Sequence, residues 1–151
     1  MSQTLVQNYL HLVFSTKRRE LWFKDEIVLR RLHAYLVGAC DHLECPTSQV
    51  GGVADHVHIL CNLSKNIALK KLVQEVKIES SKWLKREFDG FSGFSWQERY
   101  GAFSISPSHF QPTKQYIMGQ VEHHRLVPFQ DELRRLLSLY GLSYDERYVW
   151  D

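Results

Sequence analysis

The sequence predicts an α+β fold built on one antiparallel sheet, and three observations carry that prediction. Period-two and helical patterns alternate in the order β-α-β-β-α-β, two further helical segments follow, and the second and third strands are separated by only two residues. A gap that short enforces a hairpin and therefore an antiparallel pair. At 151 residues the chain suits one domain, residues 1–151, large enough to bury a real core.

The first strand runs from Asn8 to Thr16, where Leu10, Leu12 and Phe14 alternate with Tyr9, His11, Val13 and Ser15. Asp25 to Leu43 reads as a helix: Val28, Leu32, Tyr35, Leu36 and Ala39 recur at helical spacing, and Asp25 and Glu26 occupy the first turn, where the macrodipole favours acids. Pro46 to Val53 and His56 to Leu63 form the hairpin around Ala54-Asp55, with Gly51-Gly52 marking a bulge or a close backbone approach. Asn66 to Phe88 returns to helical spacing through Ile67, Leu72, Val73, Val76 and Trp83, and stops at the breaker Asp89 to Gly93.

Gly101 to Ser106 is a short strand bounded by Pro107. Pro112 to Arg125 reads as one helix with proline at a natural first position, ending ahead of Pro128. A last helix begins at Gln130, carries Leu133, Leu136, Leu137 and Tyr140, and ends at Gly141. This order is the split-βαβ, ferredoxin-like arrangement, with both crossover helices on one face of the sheet. The other face stays open unless something else covers it, and an open face would offer a place for a site.

Composition narrows the function classes. Hydrophobic residues make up 44% and charged residues 24%, which excludes disorder and fibrous repeats. No apolar run approaches the ~20 residues of a spanning helix, and the N-terminus lacks a secretory pattern, so a cytoplasmic protein without a membrane partner is expected. Cys40, Cys45 and Cys61 are odd in number and follow no zinc spacing, as suits reduced, buried thiols. Net charge is only +2, yet Lys65 to Arg86 holds seven basic residues against Glu75 and Glu79. A basic helix flanked by Trp83 and Phe88 suits a phosphate backbone, and equally a solvated helix surface.

His56-Val57-His58 carries the chemistry. Side chains alternate along a strand, so both imidazoles project from one side, away from Val57, Ile59 and Cys61. Two such imidazoles are half of a divalent-metal site. Tyr116 and Gln120, four residues apart, display a phenol and an amide on one helical face, with His123 and His124 as rival ligands. Two imidazoles and a carboxamide are neutral, so a bound cation keeps its full charge for an anionic substrate such as a phosphodiester. The cation would polarise a non-bridging oxygen while Tyr116 attacks phosphorus, and a phosphotyrosine link conserves the bond energy for rejoining.

These residues resemble the single-tyrosine HUH transposases of the smallest bacterial insertion sequences, the insertion sequence 200-like family. The resemblance rests on Asp55-His56-Val57-His58-Ile59-Leu60, on Tyr116-Ile117-Met118-Gly119-Gln120, and on the β-α-β-β-α-β order over nearly the whole chain. It implies a 5′-phosphotyrosine at Tyr116, Mg²⁺ or Mn²⁺ bound by His56, His58 and Gln120, a homodimer whose subunits can share active sites, and single-stranded DNA hairpins at element ends as substrate. Lys17, Arg18, Arg19, Lys70, Lys71, Lys77, Lys82 and Lys85 are the candidate DNA contacts. His11, with His123 and His124, is a candidate to stand behind the ligands. Alternatives are a domesticated repeat-associated tyrosine transposase, a rolling-circle nicking enzyme, a non-catalytic RNA-binding module on the same scaffold, and a small metal-binding regulator.

Overall fold

The computed structural model describes residues 2–150. Its strands are β1 (Tyr9–Ser15), β2 (Thr47–Val53), β3 (His56–Asn62) and β4 (Gly101–Ile105). They form one antiparallel sheet in the order β2-β3-β1-β4, the expected split-βαβ topology. Helices α1 (Glu26–His42) and α2 (Leu69–Glu87) cross over on one face. Asp25 caps α1 by accepting from the Ile27 amide at 2.8 Å. Leu10, Leu12, Phe14, Val57, Ile59 and Cys61 meet Leu32, Leu36, Leu72, Val76 and Leu84 in the principal core, where Cys40 and Cys45 also lie as free thiols.

The opposite face is not open. Helices α3 (Phe110–Met118), α4 (Gln120–His123) and α5 (Phe129–Leu139) fold back over it within the same chain. Val13 and Phe103 pack against Phe129, Leu133 and Leu137, while Leu60 and Ile105 pack against Ile117. The sheet is therefore covered on both sides, because each of its faces carries apolar residues that water would penalise.

Three details differ from the sequence expectation. The helix expected over Pro112–Arg125 starts at Phe110 behind a 3₁₀ turn (Pro107–His109) and breaks at Gly119 into α3 and α4. Pro112 fits inside the first turn of α3, where amides lack helical acceptors in any case, and glycine is the weakest interior helix former after proline. Secondly, α2 begins at Leu69 rather than Asn66, although Ile67 still packs on the core. The bulge of β2 falls between Thr47 and Gln49. Gly51 serves the close approach instead: a Cβ there would lie 2.3 Å from the Ile117 carbonyl oxygen of α3. At the far end, Gly141 (φ +67°) closes α5, with its amide donating to Ser138 O and the Leu142 amide to Leu137 O.

Candidate active site

Strand alternation sets the site's first two members. With Val57, Ile59 and Cys61 in the helical core, His56 and His58 enter the layer between the sheet and α3–α5, where both are fully buried. His11 on β1 joins them, with His11 Nε2 2.8 Å from His58 Nδ1. Burial pushes His11 down to about 3 and His58 to about 4, in His58 against the pull of Glu132, so both rings are neutral near pH 7. His56 Nδ1 lies 2.7 Å from Asp55 Oδ1, which orients its ring, and the ring stacks on Phe129 at 4.6 Å.

The break at Gly119 brings Gln120 and Tyr116 into the same layer. Gln120 Oε1 is 3.2 Å from His56 Nε2, and Gln120 Nε2 donates to Glu132 Oε2 at 3.1 Å. The Tyr116 hydroxyl donates to Glu132 Oε2 as well. Glu132 is the residue that sequence reasoning missed. It projects from α5 into the layer, and its carboxylate lies 2.9 Å from His58 Nε2, 3.2 Å from His124 Nε2, 3.1 Å from His123 Nε2 and 3.5 Å from His56 Nε2. The signal was present: Glu132 lies three residues after Phe129 and one before Leu133, on the apolar stripe of an amphipathic helix.

Electrostatics follow from that centre. Burial works to protonate Glu132, but its close contacts with His124, His58 and Tyr116 outweigh it and hold the carboxyl far below its usual range. Burial first, then the Glu132 carboxylate, raise the Tyr116 phenol well above its ordinary value. His56 Nε2 lies 3.2 Å from Gln120 Oε1 and 3.5 Å from Glu132 Oε1, and among the described residues His124 Nε2 is buried without a hydrogen-bond partner. One ligand atom from each of His56, His58, His124 and Glu132 falls within 4.8 Å of the others. Converging electron-pair donors of this kind fit a divalent cation.

The sequence profile of the IS200-like transposases matches residues 4–120. The chain belongs to the IS200-like transposase family. As an IS200-like transposase it is a DNA-cleaving enzyme of DNA recombination. Among the solved structures that share its fold are two transposase-related proteins. One is a protein assigned as a transposase from Deinococcus radiodurans R1, at 21% identity and TM-score 0.61, covering 80% of this chain and 96% of that one. The other is a REP-associated tyrosine transposase bound to a REP hairpin, at 14% identity and TM-score 0.59, covering 84% and 76%. No curated protein gives a significant match.

Within this transposase the expected site residues divide into two groups. His56, His58, Gln120 and Tyr116 come together, with His11, His123 and His124 around them. The basic residues of α2 (Lys70, Lys71, Lys77, Lys82 and Lys85) lie on the helix that packs against the other face of the sheet. Lys71 pairs with Glu75 at 2.8 Å. Lys77 donates to the carbonyls of Gln97 and Arg99 at 2.7 and 2.8 Å, and burial drops its amine to about 8, as suits a clamp on that loop. Lys17, Arg18 and Arg19 form a 3₁₀ turn after β1, where the Arg19 guanidinium lies 5.9 Å from the Trp150 ring centre. Among the described residues, no helix is long and apolar enough to cross a membrane.

Proposed function

We propose that this transposase, acting as one domain over residues 1–151, cleaves and rejoins single-stranded DNA at hairpin-marked ends through a 5′-phosphotyrosine at Tyr116. One observation carries the reading: Tyr116 and the His56/His58 pair contact the same carboxylate, Glu132, so nucleophile and imidazoles meet within a single chain. The REP hairpin on the similarly folded relative supports DNA hairpins as substrate. A cytoplasmic location belongs to this reading, and no helix among the described residues is long and apolar enough to cross a membrane.

His56 and His58, with Gln120 and with Glu132 or His124 beside them, would hold Mg²⁺ or Mn²⁺. Such an ion, when bound, supplies Lewis-acid polarisation of the phosphodiester. The rest falls to the chain. As Tyr116 Oη bonds to phosphorus and the P–O3′ bond breaks, the phenolic proton passes along its hydrogen bond to Glu132 Oε2, which does not retain it, and on to the departing 3′ oxygen, which leaves as a hydroxyl. Reversal returns the phosphoryl group to a 3′-hydroxyl and restores the phenol without an external energy source. His11 stands behind His58 and fixes its ring. The resemblance also implies a homodimer; because Tyr116 reaches the histidines in its own chain, each copy carries a complete residue set.

Purified protein with Mg²⁺ or Mn²⁺ is expected to cut a single-stranded hairpin oligonucleotide and to stay attached, through SDS, to the fragment bearing the 5′ phosphate. Tyr116→Phe, or EDTA, is expected to abolish that adduct while hairpin binding by Tyr116→Phe persists. Adducts formed by Tyr116→Phe, or cleavage confined to duplex DNA, would contradict the proposal.

A further inference from the structure

A phosphodiester has to reach Tyr116 past a site whose histidines and Gln120 are buried. Among the described residues, an opening borders the tyrosine itself. A cavity of about 450 Å³ between α3 and α5 is bordered by Thr113, Tyr116, His123, Glu132, Arg135 and Tyr140, and Glu132, on its wall, also contacts His56 and His58 behind it. We propose that this cavity receives the scissile phosphodiester, with Arg135 as its phosphate-binding residue; the proposal rests on the tyrosine-transfer reading above.

Charge is the first argument. Glu132 brings a negative charge to the cavity wall, which by itself repels a phosphate. Arg135 sits one turn further along α5, exposed on the same wall. Unlike Arg134, which is bound to Asp131 and Glu146, it makes no hydrogen bond or ion pair among the described residues. An unneutralised guanidinium beside a nucleophile is suited to a phosphate, which it grips with two parallel N–H donors. Its charge also favours the Tyr116 phenolate, partly opposing Glu132. Shape is the second argument. Tyr140 packs against Phe103 at 4.7 Å, and its half-exposed ring at the cavity edge gives a base next to the phosphate a stacking surface.

The test uses the full chain and a fluorescent pool of hairpin oligonucleotides with randomised single-stranded flanks. Binding is measured by anisotropy in a Tyr116→Phe background across a salt series, and adduct formation is measured with Tyr116 intact. Adding Arg135→Gln is expected to weaken binding about tenfold and to flatten the log–log salt slope by about 0.7, with an unchanged melting temperature. Arg135→Lys should recover part of the affinity, and Arg30→Gln, an exposed arginine on α1, should match the parent. An Arg135→Gln variant with the parent's affinity and salt slope, or an equal loss in Arg30→Gln, would overturn the assignment. If the protein with Tyr116 intact forms no adduct, the tyrosine-transfer reading fails, while the binding comparison still decides the role of Arg135.

Discussion

Glu132 ties the site together, and its removal should show this in stability before any DNA is added. Truncation strands Tyr116, Gln120, His58 and His124 around a buried hole. Glu132→Ala is therefore expected to cost about 3 kcal/mol or more in urea unfolding. A loss below about 1 kcal/mol would mean that the carboxylate is not the hub. The imidazoles give a second signature. Unfolded histidines take up protons below about pH 6.5, whereas burial holds His11 near 3 and both His33 and His58 near 4. Their contribution to stability is complete above pH 6.5 and is lost as pH falls towards 4. Without added metal, the urea midpoint should drop steadily from pH 7 to pH 4; a flat profile over that window would refute neutral, buried rings.

Among the elements, α3 is seated by what β2 lacks. A Cβ on Gly51 would strike the Ile117 carbonyl at 2.3 Å, forcing α3 and its Tyr116 off the sheet. Gly51→Ala should cost about 1–3 kcal/mol by overpacking and depress adduct formation. Gly38→Ala, in the exposed interior of α1 with nothing within 4 Å, should instead stabilise by about 0.5–1 kcal/mol. Equal thermal shifts in the two variants would contradict this account. The sequence made the strands legible because period-two alternation in β1 and β3 also fixes which residues face which way. It placed His56, His58 and His11 on one side correctly. It could not show the break at Gly119, since Tyr116 and Gln120 are four apart in a continuous helix as well. Nor did it single out Glu132, whose partners come from β3, α3 and α4, up to 76 residues away in the chain.

As a whole, the molecule is a two-faced sheet with a hydrophobic core under α1 and α2 and a polar, histidine-rich layer under α3–α5. Helix counting predicted the C-terminal segments but not where they go, because apolar residues on the second face are satisfied by any cover. The second face was therefore expected to stay open unless something covered it, and α3–α5 are what covers it. The division also separates two kinds of positive charge: the lysines of α2 lie behind the sheet, whereas Arg135 borders the cavity that reaches the nucleophile. The most direct measurement is to trap the protein on a hairpin oligonucleotide with Mn²⁺, digest it, and locate the nucleotide-bearing peptide by mass spectrometry. The account predicts a single phosphoryl link on the oxygen of Tyr116. A link on any other side chain, or cleaved DNA with no peptide attached, would contradict it.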